Sequence, residues 1–310
     1  MIGQMSGDAA KLAVVGSLNM DLVFGVALAP EAGQTVHGQS FAIVPGGKGA
    51  NQAVACARLG AQVSMIGRVG QDAFGAQLTE ALRQDGIDVA QVSSDPELPS
   101  GVAMVMVDAA AQNRIIVAAG ANGALTPDRI DAAAQVIGQA GLLVIQLEVP
   151  VETVLHAARI ARAHGTKVLL NPAPAPSEAE GLPEALWRCV DYLIPNESEA
   201  HALTGIIVDG PDSAVLAARM LRARGGATVL ITLGHQGVLI ADETGETHLP
   251  TAAIQAVDTT AAGDTFIGGF CAGLLEGLAV REAAAFGQKA AAICVSRHGA
   301  QPSIPHRREI

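Results

Sequence analysis

Apolar positions along the chain follow two spacings. Leu12 to Gly16 (LAVVG), Gln62 to Gly67, Leu142 to Gln146, Lys167 to Leu170, Tyr192 to Ile194 and Val229 to Thr232 are short runs dominated by aliphatic residues. Runs of that kind fill strands that are buried on both faces. Between them lie longer segments with apolar residues three and four apart: Ala53 to Leu59, Phe74 to Gln84, a segment opening at Thr126-Pro127, and Val151 to Ala163. After Asp264 the residues Ile267, Phe270, Cys271, Leu274, Leu275 and Leu278 form the stripe of a core-facing helix. Strand, helix and strand in alternation predict an α/β fold on a mostly parallel sheet.

Two pairs of β-like runs interrupt this rhythm because no helix separates their members. They are Leu22 to Val26 with Gln34 to Val44, broken by Pro30 and Gly33, and Gly101 to Val107 with Arg114 to Ala118. They are expected to form a small side sheet that acts as a lid over the Asn19 end of the main sheet.

Composition narrows the class. The 310 residues allow one large α/β domain or two smaller ones. Half of them are hydrophobic and only 3% aromatic, so Ala, Val, Leu and Ile must fill the core. No apolar run reaches the about 18 residues of a membrane span. Residues 1–10 lack a basic n-region and a long apolar stretch, so they read as a frayed start and not a signal peptide, and a cytoplasmic location is expected. Cys56, Cys189, Cys271 and Cys294 show no metal-finger spacing and read as buried free thiols. A net charge of −11 argues against nucleic-acid or acidic-membrane partners. It leaves a nucleotide open, because helix N-termini and a metal supply local positive potential.

The candidate chemistry centres on Ala256 to Phe270 (AVDTTAAGDTFIGGF), read as an apolar strand running through small residues into a helix. Main-chain N–H groups of Thr259 to Gly263 can approach an anion there. Asp264 at the helix start is either a reactive carboxylate or an N-cap worth roughly 1 kcal/mol. Gly263, Gly268, Gly269 and Gly273 read equally as close-packing positions. Asn19 and Asp21 follow the first strand, and Glu148 follows the strand at Leu142, at carboxyl ends where open α/β sheets bind ligands; an Asx turn is the alternative for the first two.

Pro45 to Gln52 (PGGKGANQ) matches neither a P-loop nor a dinucleotide fingerprint. Its Gly46-Gly47 pair suits a polyhydroxylated ligand lying on bare backbone, with Lys48 and Asn51 as donors, or simply a turn feeding a helix. Asn171 to Pro176 is an extended loop. Asn196 and Glu199 can share one helix face and hold a hydrated magnesium, or form a capping box. The turn Leu233 to Gly237 suits a nucleotide or a plain hairpin.

These motifs in this order resemble the ribokinase/PfkB carbohydrate kinase family over Leu12 to Pro305. GGKGANQA at Gly46 and DTTAAGDTF at Asp258 are the most specific; NPAPAP at Asn171, PNESEA at Pro195, TLGHQG at Thr232 and HGAQPS at His298 agree. The resemblance implies a three-layer Rossmann-like sheet with helices on both faces and a small β-sheet lid. It implies one domain over 1–310, with lid strands from about 18–45 and 98–120. The activity implied is ATP-dependent phosphorylation of D-ribose at O5. Related kinases of 2-deoxyribose, fructose or a nucleoside are the alternatives within the family, and a sugar-binding regulator without chemistry is the alternative outside it.

By the same resemblance, Asn19, Asp21, Gly46, Gly47, Lys48, Asn51 and Glu148 bind the sugar. Asp264 is the base, and N–H groups of Ala261, Ala262, Gly263 and Asp264 hold the transferring phosphoryl group. Asn196 and Glu199 place Mg2+ through water. Thr232, Gly234, Gly237 and Gln288 line the nucleotide together with Asn196 and Gly263. Asp258, Thr260, Cys294, Arg297, Gly299 and Ser303 bind K+, largely through main-chain oxygens. A homodimer through the lid sheet is implied too. Two positions depart from the common pattern: Ala261 where many relatives have Gly, and Gln288 where many have Asn near the adenine.

Overall fold

A computed structural model of the protein describes residues 11–109, 113–175, 181–252 and 254–310. The chain enters the main sheet with β1 (Lys11–Val15) and leaves it at once, since β2 (Asn19–Gly25) and β3 (Ser40–Gly46) belong to a second sheet. Helix α1 (Lys48–Arg58) leads back to β4 (Gln62–Gly70), and α2 (Ala73–Gln84) to β5 (Asp88–Asp95). A second excursion through β6 (Gly101–Val107) and β7 (Asn113–Ala118) completes the small sheet.

Short helices α3 (Pro127–Ala132) and α4 (Ala134–Gln139) return the chain to β8 (Leu142–Ile145). Then follow α5 (Val151–His164), β9 (Lys167–Leu170), α6 (Glu184–Trp187), β10 (Tyr192–Leu193), α7 (Glu197–Thr204), α8 (Pro211–Gly225) and β11 (Thr228–Thr232). The hairpin β12 (Val238–Asp242) and β13 (Gly245–Leu249) ends the sheet, and α9 (Ala262–Leu275) and α10 (Val280–Cys294) complete the body.

The main sheet has nine strands in the order β13-β12-β11-β10-β9-β8-β1-β4-β5, and β12 alone runs opposite to the other eight. Alternation along β1 explains the layers. Ala13 and Val15 join one apolar cluster with the inner faces of α3, α4, α5 and α8, whereas Leu12 and Val14 join another with α1, α2, α9 and α10. Phe270 is fully buried in the second cluster, edge-on to Tyr192 at 5.5 Å. Truncating it to Ala would cost about 3–5 kcal/mol. Gly268 and Gly269 let α9 lie close to its neighbours, because a Cβ on either would overlap Ala55 of α1 or Gly287 of α10. Gly273 meets Ala283 in the same way.

The small sheet has the order β3-β2-β6-β7, with β2 and β6 parallel in the middle and an antiparallel strand at each edge. The three-layer Rossmann-like architecture with its additional small sheet is as expected. Several local expectations differ. Asn19 and Asp21 do not trail off β1; they are the first and third residues of β2 and share one face of the small sheet. Strand β3 starts at Ser40, because Gln34 N–H turns back to the Glu31 carbonyl and residues 34–39 form no ladder. Ala256 and Val257 are exposed and form no strand; the N–H groups of Val257 and Asp258 bond to the Val295 carbonyl instead. Edge strands β5 and β13 carry polar sequences (DVAQVSSD, GETHL) that gave no apolar signal. Expectations about residues 1–10, about Pro176 and about the lid between residues 109 and 113 fall outside the described residues. Among the described residues no helix is long and apolar enough to cross a membrane.

Candidate active site

The site forms where β2, the N-terminus of α1, the end of β8 and the N-terminus of α9 converge. Gly47 caps α1 with φ 90°, a left-handed value that glycine adopts without strain. A Cβ there would press on Asn19 N and the Ser17 carbonyl, and one on Gly46 would overlap the Asp21 carboxylate. The glycine pair therefore admits β2 and Asp21 to the foot of α1.

Glu148 is the hub of the sheet side. Its Oε2 accepts from Ser17 Oγ at 2.5 Å, from Lys48 N at 3.1 Å and, at the outer limit of 3.5 Å, from Asn19 Nδ2. Asn19 is held in turn by Asn122, whose Nδ2 donates to Asn19 Oδ1 at 2.8 Å and to the Leu18 carbonyl at 3.0 Å. Burial pushes Asp21 up to a pKa of about 7, helped by the negative charges of Glu148 and Asp264. Lys48 is the cation facing these carboxylates. Burial lowers its pKa, yet Asp264, Glu148 and Glu199 hold it above the usual lysine value.

Ala261 opens α9 with φ 59°, the one non-glycine residue in the left-handed region among the described residues. Asp264 is the third residue of that helix and not its cap. Its Oδ2 accepts from Asn51 Nδ2 at 3.1 Å and its Oδ1 from Gln52 Nε2 at 2.9 Å. Burial raises the Asp264 pKa, against which Lys48 and these two amides favour the ionised form. The Ala262 N–H is committed to the Thr259 carbonyl at 3.2 Å, whereas the N–H groups of Gly263 and Asp264 have no protein acceptor among the described residues. Unsatisfied donors at a helix start are an anion site.

Two cavities meet at this helix start. The smaller, about 200 Å³, is bordered by Lys48, Asn171, Asn196, Glu199 and Ala261 to Asp264. The larger, about 650 Å³, is bordered by Asn196, Thr232, Gly234, Gly237, Gly263 and Gln288 among others. A Cβ on Gly263 would meet nothing within 4 Å, so this glycine, unlike Gly268 and Gly269, faces open space. Gln288 spends its amide donor on the Leu249 carbonyl at 3.0 Å.

Asn196 and Glu199 form a capping box: Asn196 Oδ1 accepts from Glu199 N at 2.8 Å and Glu199 Oε2 from Asn196 N at 2.9 Å. Burial also raises the Glu199 pKa. The cap geometry and a place on the cavity wall thus coexist.

Behind α9, Asp258 braces two loops, accepting from Thr260 N at 2.9 Å and Gly299 N at 2.8 Å. Cys294 Sγ lies 3.0 Å from Ser303 Oγ and 3.6 Å from the Thr260 carbonyl. Thus 258, 260, 294, 299 and 303 come together, while the Arg297 side chain turns away to pair with Glu309 at 2.6 Å. Among the described residues no group of three His, Cys, Asp or Glu side chains is placed to hold a metal. A cation at these loops would rest on oxygens of the main chain, the donor chemistry a hard monovalent ion takes. All four cysteines are free and buried.

Ser17, Gln52, Asn122, Gln146 and Asn171 belong to the site's hydrogen bonding and were not singled out from the sequence as its members. The available signal was a polar side chain closing an apolar run, as in Gln146 after Leu142 to Ile145, or adjoining a candidate residue, as in Gln52 after Asn51.

Residues 9–307 match the model of the pfkB family carbohydrate kinases. The chain is 44% identical over 298 residues to a ribokinase of Haemophilus influenzae, covering 96% of each. It is 40% identical over 295 residues to a deoxyribokinase of Salmonella typhi, covering 95% of each. The structure of an Arabidopsis thaliana ribokinase complexed with ribose and ATP superposes with a TM-score of 0.88 at 32% identity, covering 97% of each chain. With that match across nearly its whole length, and with an anion-binding helix start beside a buried carboxylate, the chain belongs to the pfkB family of carbohydrate kinases.

Proposed function

We propose that this kinase transfers the γ-phosphoryl group of ATP to O5 of D-ribose, giving D-ribose 5-phosphate and ADP. The observation that carries this reading is the position of Asp264. It stands in the first turn of α9, between the polar cluster of β2 and Glu148 and the cavity bordered by Gly263. The relatives named ribokinase, and the one described with ribose and ATP, support the choice of substrates.

In this reading ribose lies against Asn19, Asp21, Lys48, Asn51 and Glu148, and ATP fills the larger cavity with its phosphates toward Gly263. Asp264 accepts the O5 proton while O5 bonds to the γ-phosphorus. The bond from that phosphorus to the β,γ-bridging oxygen breaks, its electron pair leaves with ADP, and Asp264 later releases the proton to solvent. The N–H groups of Gly263 and Asp264 stabilise charge on the moving group, and Lys48 adds a positive charge beside it. The small sheet keeps water from competing as acceptor. Magnesium, held through water by Asn196 and Glu199, would neutralise phosphate charge. Potassium at Asp258, Thr260, Gly299 and Ser303 would brace the loop leading into α9.

Ribose-dependent ADP release across a sugar panel tests the reading. D-ribose should show the highest kcat/KM. A higher value for 2-deoxyribose, which the Salmonella relative's name favours as the second reading, would reassign the substrate. No sugar-dependent turnover at all would make the chain a sugar-binding regulator.

The same reading takes residues 1–310 as one domain in the cytoplasm, where four free thiols stay reduced. It also pairs two copies through the small sheet, which exposes Phe41, Ile43, Ile115, Ile116 and Val117. A solution mass of one chain would refute that pairing.

A further inference from the structure

We infer that Gln52 is a positioning residue, one that holds the Asp264 carboxylate in the orientation needed to accept the sugar proton. The inference rests on the reading of Asp264 as the base.

Gln52 is fully buried, with both amide N–H groups and its oxygen taken up by protein partners, and so has none to offer sugar or nucleotide. Its Nε2 points one N–H at Asp264 Oδ1, at 2.9 Å, and the other at Asn171 Oδ1, at 3.1 Å. Its Oε1 accepts from Gln146 Nε2 at 2.6 Å. Turning this amide over would set its oxygen against two other oxygens, so the three contacts fix its orientation. Gln146, also fully buried, closes β8 beside Gly16, where a Cβ would overlap Gln146 Oε1. A glycine at that place in β1's trailing turn is what admits the second glutamine.

From the Gln52 nitrogen the chain runs in two directions. One arm ends at Asp264. The other passes through Asn171, whose Nδ2 donates to the Ile194 carbonyl at 2.8 Å and reaches Glu199 Oε2 at 3.4 Å. Asn51 holds the other carboxylate oxygen, but it stands among the sugar-binding candidates. Gln52 anchors Asp264 and has no candidate role in ligand binding. A carboxylate gripped on one oxygen only is free to rotate about its Cβ–Cγ bond, and misorientation of a reacting group lowers the rate more than it lowers binding.

The test compares Gln52→Met, which keeps the length and removes the donors, with Gln146→Met and Asp264→Asn in the full-length enzyme. Each kcat is normalised to the folded fraction found by thermal unfolding, and ribose affinity is measured by calorimetry. Gln52→Met should lower kcat by about 10- to 100-fold while ribose Kd and KM stay within about twofold. Gln146→Met should show a smaller loss of the same kind, and it carries the test if Gln52→Met does not fold. A purely structural amide would lower the unfolding temperature and leave normalised kcat unchanged. That result, alongside an inactive Asp264→Asn, overturns the role of Gln52 and leaves the base in place. An active Asp264→Asn would remove the base reading and this inference with it.

Discussion

Asn51 Nδ2 lies 3.1 Å from Asp264 Oδ2, a hydrogen bond that joins the first turns of two helices across 213 residues of sequence. With Gln52 on the other oxygen, the carboxylate receives an amide on each side and still keeps a free lone pair on both. Asp264→Asn should lower kcat by about 100-fold or more, as loss of a general base does, with ribose binding largely retained. Single-turnover kinetics beside calorimetry would check this, and near-normal turnover would exclude the role.

Gly263→Ala separates folding from function. The position has ordinary helical φ and open space where a Cβ would go, and Ala in a helix gains about 0.5–1 kcal/mol over Gly. The methyl would instead occupy the space where the two cavities meet. Unfolding should therefore be unchanged or slightly later, while ATP affinity and turnover both fall. Unaltered kinetics would mean that the phosphates lie elsewhere.

Ala261→Gly works in the opposite sense. Relief of the left-handed conformation is worth roughly 1–2 kcal/mol, offset by roughly 0.4–1 kcal/mol of added freedom in the unfolded chain. Denaturant unfolding should show a gain of between about 0 and 1.6 kcal/mol. A clear loss would show that the Ala261 methyl makes contacts that outweigh its strain.

The pH dependence of sugar binding should follow Asp21. With its folded pKa raised from 3.8 to about 7, the ionised form that accepts from hydroxyls accumulates only as pH rises through that value. Ribose affinity should climb with pH, falling by up to about tenfold per unit below the midpoint, and Asp21→Asn should flatten the curve. The sign for stability is opposite. The folded state binds this proton more tightly than the unfolded state, so the contribution is complete below 3.8 and is lost as pH rises toward about 7. A ribose titration whose affinity is flat between pH 5.5 and 8 would count against Asp21 as a hydroxyl acceptor.

Exchanging potassium for a bulky organic cation should lower turnover and shift the unfolding temperature of the ligand-free protein. The second readout reports on the loops that Asp258 braces, independently of catalysis. Identical behaviour in both salts would make Asp258, Cys294 and Ser303 a structural brace only.

What the sequence made legible was whatever periodicity or spacing encodes. Leu142 to Ile145 announces a central strand because every residue in it is buried, and the stripe after Asp264 announces α9. The motif GGKGANQA located the α1 end of the site. Polar edge strands such as β5 left no such trace, because a solvated edge needs no apolar pattern. Neither did the partnerships of Gln52 with Gln146 and of Asn122 with Leu18, which join residues 94 and 104 positions apart through side chains of ordinary type. Asp264 shows the same limit. Its place as third residue of α9 depends on the left-handed turn at Ala261, which a small residue permits but does not announce.

The anchorage of β2 has a mechanical consequence. Asn122 grips both main-chain groups of Leu18, and Asn19 pairs with Gly46 on one side and Gly101 on the other. The small sheet is thus fastened at its base, and the base carries the candidate sugar contacts Asn19 and Asp21. Over its seven residues β2 reaches about 20 Å from that point. A tilt of the sheet about that base would move Asn19 and Asp21 little and carry the far ends at Gly25 and Val107 through a much longer arc.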